Sequence, residues 1–120
     1  MSYSFGNTGV ATAEAGMNAE NGTGDKLKVG FVTYTNGSST AGIYLMYNCT
    51  TNEQTPTTPG VLAYSASTSW KNTTSDVHVS ISINSSGQLT LLLNGVDPSG
   101  TGAFTNVALP FAYLAENKAT

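Results

Sequence analysis

Between Asp76 and Asn94 the chain reads DVHVSISINSSGQLTLLLN, and its polar/apolar alternation on both sides of a Ser/Gly turn leaves room for little but a β-hairpin. Successive strand residues point to opposite sides. Val77, Val79, Ile81 and Ile83 therefore share one face, while Asp76, His78, Ser80 and Ser82 share the other. The chain's single histidine is expected to face solvent.

The same grammar recurs upstream. In KLKVGFVTYT, from Lys26, the residues Leu27, Val29, Phe31 and Thr33 fall on one face. Asn36 and Gly37 offer a tight turn into TAGIYLMYN, where Ile43, Leu45 and Tyr47 again share a face. Val32 and Tyr34 on the first strand, with Tyr44 and Met46 on the second, make the opposite face apolar too. A strand apolar on both sides is either central in a sandwich or pressed against another subunit.

The remaining segments are shorter. Asn48 to Pro59 carries two prolines and no periodicity, so it reads as an exposed loop. A strand from Gly60 to about Ser65 leads into a polar loop holding Trp70, and a turn-rich stretch, NGVDPSGTG, precedes a last strand in AFTNVALPFAYL. Pro110 marks an edge, bulge or bend in that strand. The first 25 residues, with a weak helical possibility at Ala11 to Ala19, read as an arm or one irregular strand plus loop, and residues 26–120 as the domain proper. The expected fold is a single all-β domain: an antiparallel β-sandwich or small barrel of jelly-roll or immunoglobulin-like type, with about six to eight strands.

Composition narrows the function. Of 120 residues only four are Lys or Arg, all of them lysines, against seven carboxylates, for a net charge of -3. A basic surface able to displace counterions from phosphates cannot be built from these, so neither nucleic acid nor anionic lipid is an expected partner. No apolar run approaches the roughly 18 to 20 residues a membrane helix needs, and the first residues show no export signal. A soluble protein, cytoplasmic or virion-associated, is expected. One cysteine, Cys49, excludes an internal disulfide and, with no His or Cys nearby, a zinc site. It reads as a small side chain at a strand end. No cofactor is expected.

Catalytic constellations fare poorly. Asp76, His78 and Ser80 have the residue types of a hydrolase triad, but alternate positions on one strand face lie about 6.6 to 6.8 Å apart with parallel side chains. A triad needs convergent groups at hydrogen-bond distance. The carboxylates offer no pair at a spacing meaningful for glycoside hydrolysis. Asn18 to Asp25 sets oxygen side chains around two glycines, somewhat as a calcium loop does, but it lacks the closing glutamate, and turn preferences explain it better. An enzyme is not expected.

Trp70, flanked by Ser69 and Lys71, offers an aromatic plate among Asn, Thr and Asp groups, which is a workable sugar site. Asn52, Asn72 and Asp97 are its candidate polar partners. The competing role for Trp70 is to close the open end of the sandwich. The segment Trp70 to Gly95, with the VHVSISINSSGQLTLLLNG hairpin, resembles the paired back-sheet strands of concanavalin-like and laminin-G-like jelly rolls. That resemblance implies a fold and carries no ligand residue across. Two functions are then expected in order: a non-catalytic, lectin-like carbohydrate-binding module that forms homo-oligomers, or a structural assembly protein such as a phage or virus decoration, coat or fibre subunit. The partners would be a glycan or other copies of the chain.

Overall fold

In the computed structural model, which describes residues 2–5, 24–49, 55–71 and 73–110, the described chain forms seven strands and no helix. They are β1 (Ser2–Phe5), β2 (Gly24–Val32), β3 (Gly42–Cys49), β4 (Val61–Ser65), β5 (Val79–Ile83), β6 (Gln88–Leu93) and β7 (Val107–Ala108). Strands β1 to β4 pair in sequence order as one antiparallel sheet, and β5 to β7 as a second. The expected all-β antiparallel sandwich is the fold observed.

The alternation read in the sequence sets the register. Leu27, Val29 and Phe31 of β2 stand opposite Tyr47, Leu45 and Ile43 of β3. On the second sheet Val79, Ile81 and Ile83 stand opposite Leu93, Leu91 and Leu89. Leu89 and Leu91 meet the β2–β3 face in one core with Ala63, Phe104 and Leu109, and Val79, Ile81 and Leu93 pack against it. The sheets thus join through residues that the period of two selects, except Ile83 at the hairpin tip, which is 46% exposed. Each fully buried Leu or Phe contributes about 1.5 to 3 kcal/mol. His78 and Asp76 are exposed, as the alternation requires.

The first hairpin departs from expectation at its turn. Strands β2 and β3 part after the Val32–Gly42 pair, and residues 33–41 form a nine-residue loop rather than a tight turn at Asn36 and Gly37. Tyr34 therefore leaves the strand and is 66% exposed. Side-chain bonds drive the difference. The Asn36 carboxamide oxygen accepts hydrogen bonds from the Ser38 and Ser39 N–H groups at 2.9 and 2.8 Å, and the Thr35 hydroxyl accepts one from Ala41 N–H at 3.0 Å. Such local side-chain bonds compete with the strand ladder.

The outer face of β3 is buried within the single chain. Tyr44 and Met46 are both fully buried, with Val32, Val61 and Tyr64 packed beside them. Lys28, the partner of Met46 in the register, is buried too. Of the two settings that an apolar two-faced strand allows, central burial is the one realised. Tyr44 and Tyr64 lie with ring centroids 4.8 Å apart, and their hydroxyls donate to the Thr40 and Ala41 carbonyls at 2.6 and 3.0 Å. Burial and the neighbouring Tyr64 push the Tyr44 pKa up to about 12, against the lowering effect of its hydrogen bond to Thr40. Gly42, between these anchors and the strand, has φ +147° and no room for a Cβ against the Ser65 carbonyl oxygen and the Tyr64 ring.

The last strand is also shorter than expected. Only Val107 and Ala108 pair with β6, while Phe104, read as a strand residue, is instead a fully buried plug at the end of a loop. Strand β1 shows that the start of the chain joins the sheet. The helical possibility at Ala11 to Ala19 lies outside the described residues, as does most of the calcium-like stretch from Asn18, whose last residues, Gly24 and Asp25, open β2. Cys49 is the final residue of β3.

Candidate functional site

Three connections gather at one end of the sandwich: the loop 33–41, the stretch 66–78 after β4, and the stretch 94–106 after β6. Hydrogen bonds hold them together. The Lys71 ammonium donates to the Thr33 carbonyl, the Ser65 hydroxyl to the Pro98 carbonyl at 3.2 Å, and the His78 N–H to the Asn94 carboxamide oxygen at 2.9 Å.

The loop after β6 begins as a two-residue turn. Asn94 and Gly95 have φ of 50° and 80°, and Leu93 and Val96 exchange two backbone hydrogen bonds across them. This is the primed geometry that Asn-Gly sequences favour. Asp97-Pro98-Ser99-Gly100 follows, with Gly100 N–H bonded to the Asp97 carbonyl at 3.1 Å. Asp at the first position, Pro at the second and Gly at the fourth suit such a turn for separate reasons of side-chain bonding and φ.

The Asp97 carboxylate then organises the whole loop. One oxygen accepts from the Ser99 N–H at 2.8 Å and the Ser99 hydroxyl at 2.6 Å. The other accepts from the Phe104 N–H at 3.0 Å and the Thr105 hydroxyl at 2.8 Å. Ser99 Oγ extends the network by accepting from the Thr101 and Ala103 N–H groups. Partial burial pushes the Asp97 carboxyl up, but the bonds from Ser99, Thr105 and Phe104 outweigh it and hold the pKa below the ordinary value. Four donors fill the acceptor sites of an ionised carboxylate.

Trp70 is fixed from two directions. Its indole N–H donates to the Ser67 carbonyl at 2.9 Å, and its ring meets Phe31 edge-on, with centroids 5.4 Å apart and planes at 78°. The T-shaped pairing ties the loop to the core. With the N–H engaged, the indole's remaining contribution to a ligand is its apolar surface.

Between these two loops lies a cleft of about 450 Å³. That falls in the range of small-molecule sites. Trp70 and Ser69 line it from one loop, Val96 and Ser99 from the other, and Val77 and Asn94 from the strand ends. Trp70 and Asp97, named from the sequence as candidate ligand residues, thus line the same cleft, but the Asp97 carboxylate is committed to its own loop. Asn52 and Asn72 lie outside the described residues. The serines and Val96 were missed in the sequence, although DPSG signalled the turn that carries Ser99. Among the described residues, no three His, Cys, Asp or Glu side chains gather as a metal would require, and no helix is long and apolar enough to cross a membrane.

Compared with known protein families, curated proteins and solved structures, the chain matches none of them, so no function is carried over from a relative.

Proposed function

We propose that the protein is a non-catalytic binding module that takes a neutral, hydroxyl-rich ligand, most simply a sugar, in the cleft beside Trp70. The observation that carries this reading is a rigidly held indole that lines a cleft of about 450 Å³ together with Ser67 and Ser69 of its own loop, whose hydroxyls share one bond and keep further hydrogen-bonding capacity. A sugar ring has an apolar face that stacks on an aromatic plate and hydroxyls that exchange hydrogen bonds with Ser and backbone groups. The lining residues include no lysine, which disfavours anionic ligands.

Trp70 is the chain's one tryptophan, so its fluorescence reports on the cleft directly. A glycan array followed by fluorescence titration tests the proposal. The expected result is saturable binding by a subset of neutral glycans, lost in Trp70→Ala and partly kept in Trp70→Phe. No binding to any sugar at millimolar levels would sink it.

The assembly alternative, a coat, decoration or fibre subunit, draws its support from Tyr34 and Val96, which are 66% and 64% exposed at this same end of the molecule. Burial of the outer face of β3 within one chain removes the apolar face that first suggested a second copy. Light scattering over a wide concentration range separates the two readings, since a monomer that never associates counts against assembly.

A further inference from the structure

The described residues include two Asn-Gly pairs, Asn36–Gly37 and Asn94–Gly95, and the fold treats them very differently. We propose that Asn36 is a self-modification site, where the folded loop promotes conversion of the side-chain amide to aspartate and isoaspartate.

The chemistry requires only the chain and water. The Gly37 amide nitrogen attacks Cγ of Asn36, forming an N–C bond and placing negative charge on Oδ1. The Cγ–Nδ2 bond then breaks, and ammonia leaves with the proton released by Gly37. Water opens the resulting five-membered succinimide at either carbonyl, giving aspartate or isoaspartate. The slow step develops an oxyanion at Oδ1, so donors already aimed at that atom lower its barrier.

Three donors are so aimed. The Asn36 Oδ1 accepts from Ser38 N–H at 2.9 Å, Ser39 N–H at 2.8 Å and the Ser38 hydroxyl at 3.1 Å. The turn is held by an Asn36 N–H bond to the Ser39 carbonyl at 2.9 Å, and the loop's roots by Tyr44, Tyr64 and Lys71. Gly37 is exposed, and nothing lies within 4 Å of the position a Cβ would take, so its nitrogen has room to approach. No hydrogen bond holds its N–H.

Asn94 supplies the contrast within the same molecule. The Gly95 N–H is equally free, so the difference lies in the amide carbonyl and the backbone. Asn94 Oδ1 has one donor, His78 N–H, and Asn94 N–H is bonded back to the His78 carbonyl at 2.8 Å. Its φ of 50° is locked by the two bonds between Leu93 and Val96. Bringing Gly95 N onto Cγ would break that turn.

The test is peptide mapping by mass spectrometry of the intact protein, held for weeks at pH 7.4 and 37 °C, beside the same protein held unfolded in urea. In the unfolded chain the two pairs react alike, because each is an Asn followed by Gly. Folding is expected to slow Asn94 by at least about tenfold while Asn36 reacts a few-fold faster than in the unfolded chain. Ser38→Ala, which removes one donor from an exposed loop, is expected to slow Asn36 a few-fold and leave Asn94 unchanged. An Asn36 rate in the folded protein at or below the unfolded rate, or equal to that of Asn94, would mean that the three bonds immobilise the amide rather than activate it, and would overturn the proposal.

Discussion

Replacing Asp97 by Asn keeps the shape of the side chain and removes one acceptor oxygen, which makes its effect calculable. Ser99 Oγ already accepts from Thr101 and Ala103, so it must donate to position 97, and the retained oxygen is best placed toward Ser99. The new amide NH₂ then faces the Phe104 N–H and the Thr105 hydroxyl. Thr105 answers by rotating its hydroxyl to accept. The Phe104 N–H has no such option, and Phe104 is fully buried. An orphaned buried donor costs about 1 to 3 kcal/mol, and the surviving bonds lose their charge assistance, so the sum is about 2 to 3 kcal/mol. For a chain of this length that lowers Tm by about 10 °C.

Acidity supplies the control. Asp97 has a folded pKa below its ordinary value of 3.8, so its stabilisation is fully present above that value and is lost as pH falls through the lower folded one. Once protonated, Asp97 resembles the Asn that replaces it. Urea unfolding of both proteins at neutral pH and at a pH low enough to protonate Asp97 in the folded state should therefore show a gap of about 2 to 3 kcal/mol that narrows on acidification. A neutral-pH gap below about 0.5 kcal/mol, or one equally wide at both pH values, refutes the assignment of Asp97 as the loop's organiser.

Gly42→Ala should destabilise by about 2 to 4 kcal/mol, because the residue combines φ +147° with a Cβ position 2.6 Å from the Tyr64 ring; near-wild-type thermal unfolding would contradict this. Tyr44 has its pKa raised to about 12, so it favours the folded state below pH 10, and that contribution fades as pH rises from 10 through 12. Tyr44→Phe should cost about 1 kcal/mol through loss of the bond to Thr40 and should show less alkaline destabilisation than wild type, measured by urea unfolding between pH 8 and about 11.

The parts of this protein that could be read in its sequence are those governed by a period of two. Leu89 and Leu91 lie in the core, and Val79 and Ile81 pack against it, because a strand offers two faces and the alternation selects one of them. The same rule kept His78 and Asp76 out of it. What escaped the reading follows a different physics, in which a short polar side chain captures backbone several residues away. Asn36 turned an expected two-residue turn into a nine-residue loop, and Asp97, seven residues from Phe104, converted an expected strand residue into a plug. No periodicity announces such captures, because their partners are set by three-dimensional closure rather than by spacing along a face. That is also why the cleft was half legible. Trp70 and Asp97 stood out by residue type, yet the role of Asp97 depends on which donors reach its oxygens. Since those oxygens are filled from within the loop, Asp97 fixes the cleft's wall, and in the proposed sugar site it is the indole surface and the Ser67 and Ser69 hydroxyls that would meet the ligand.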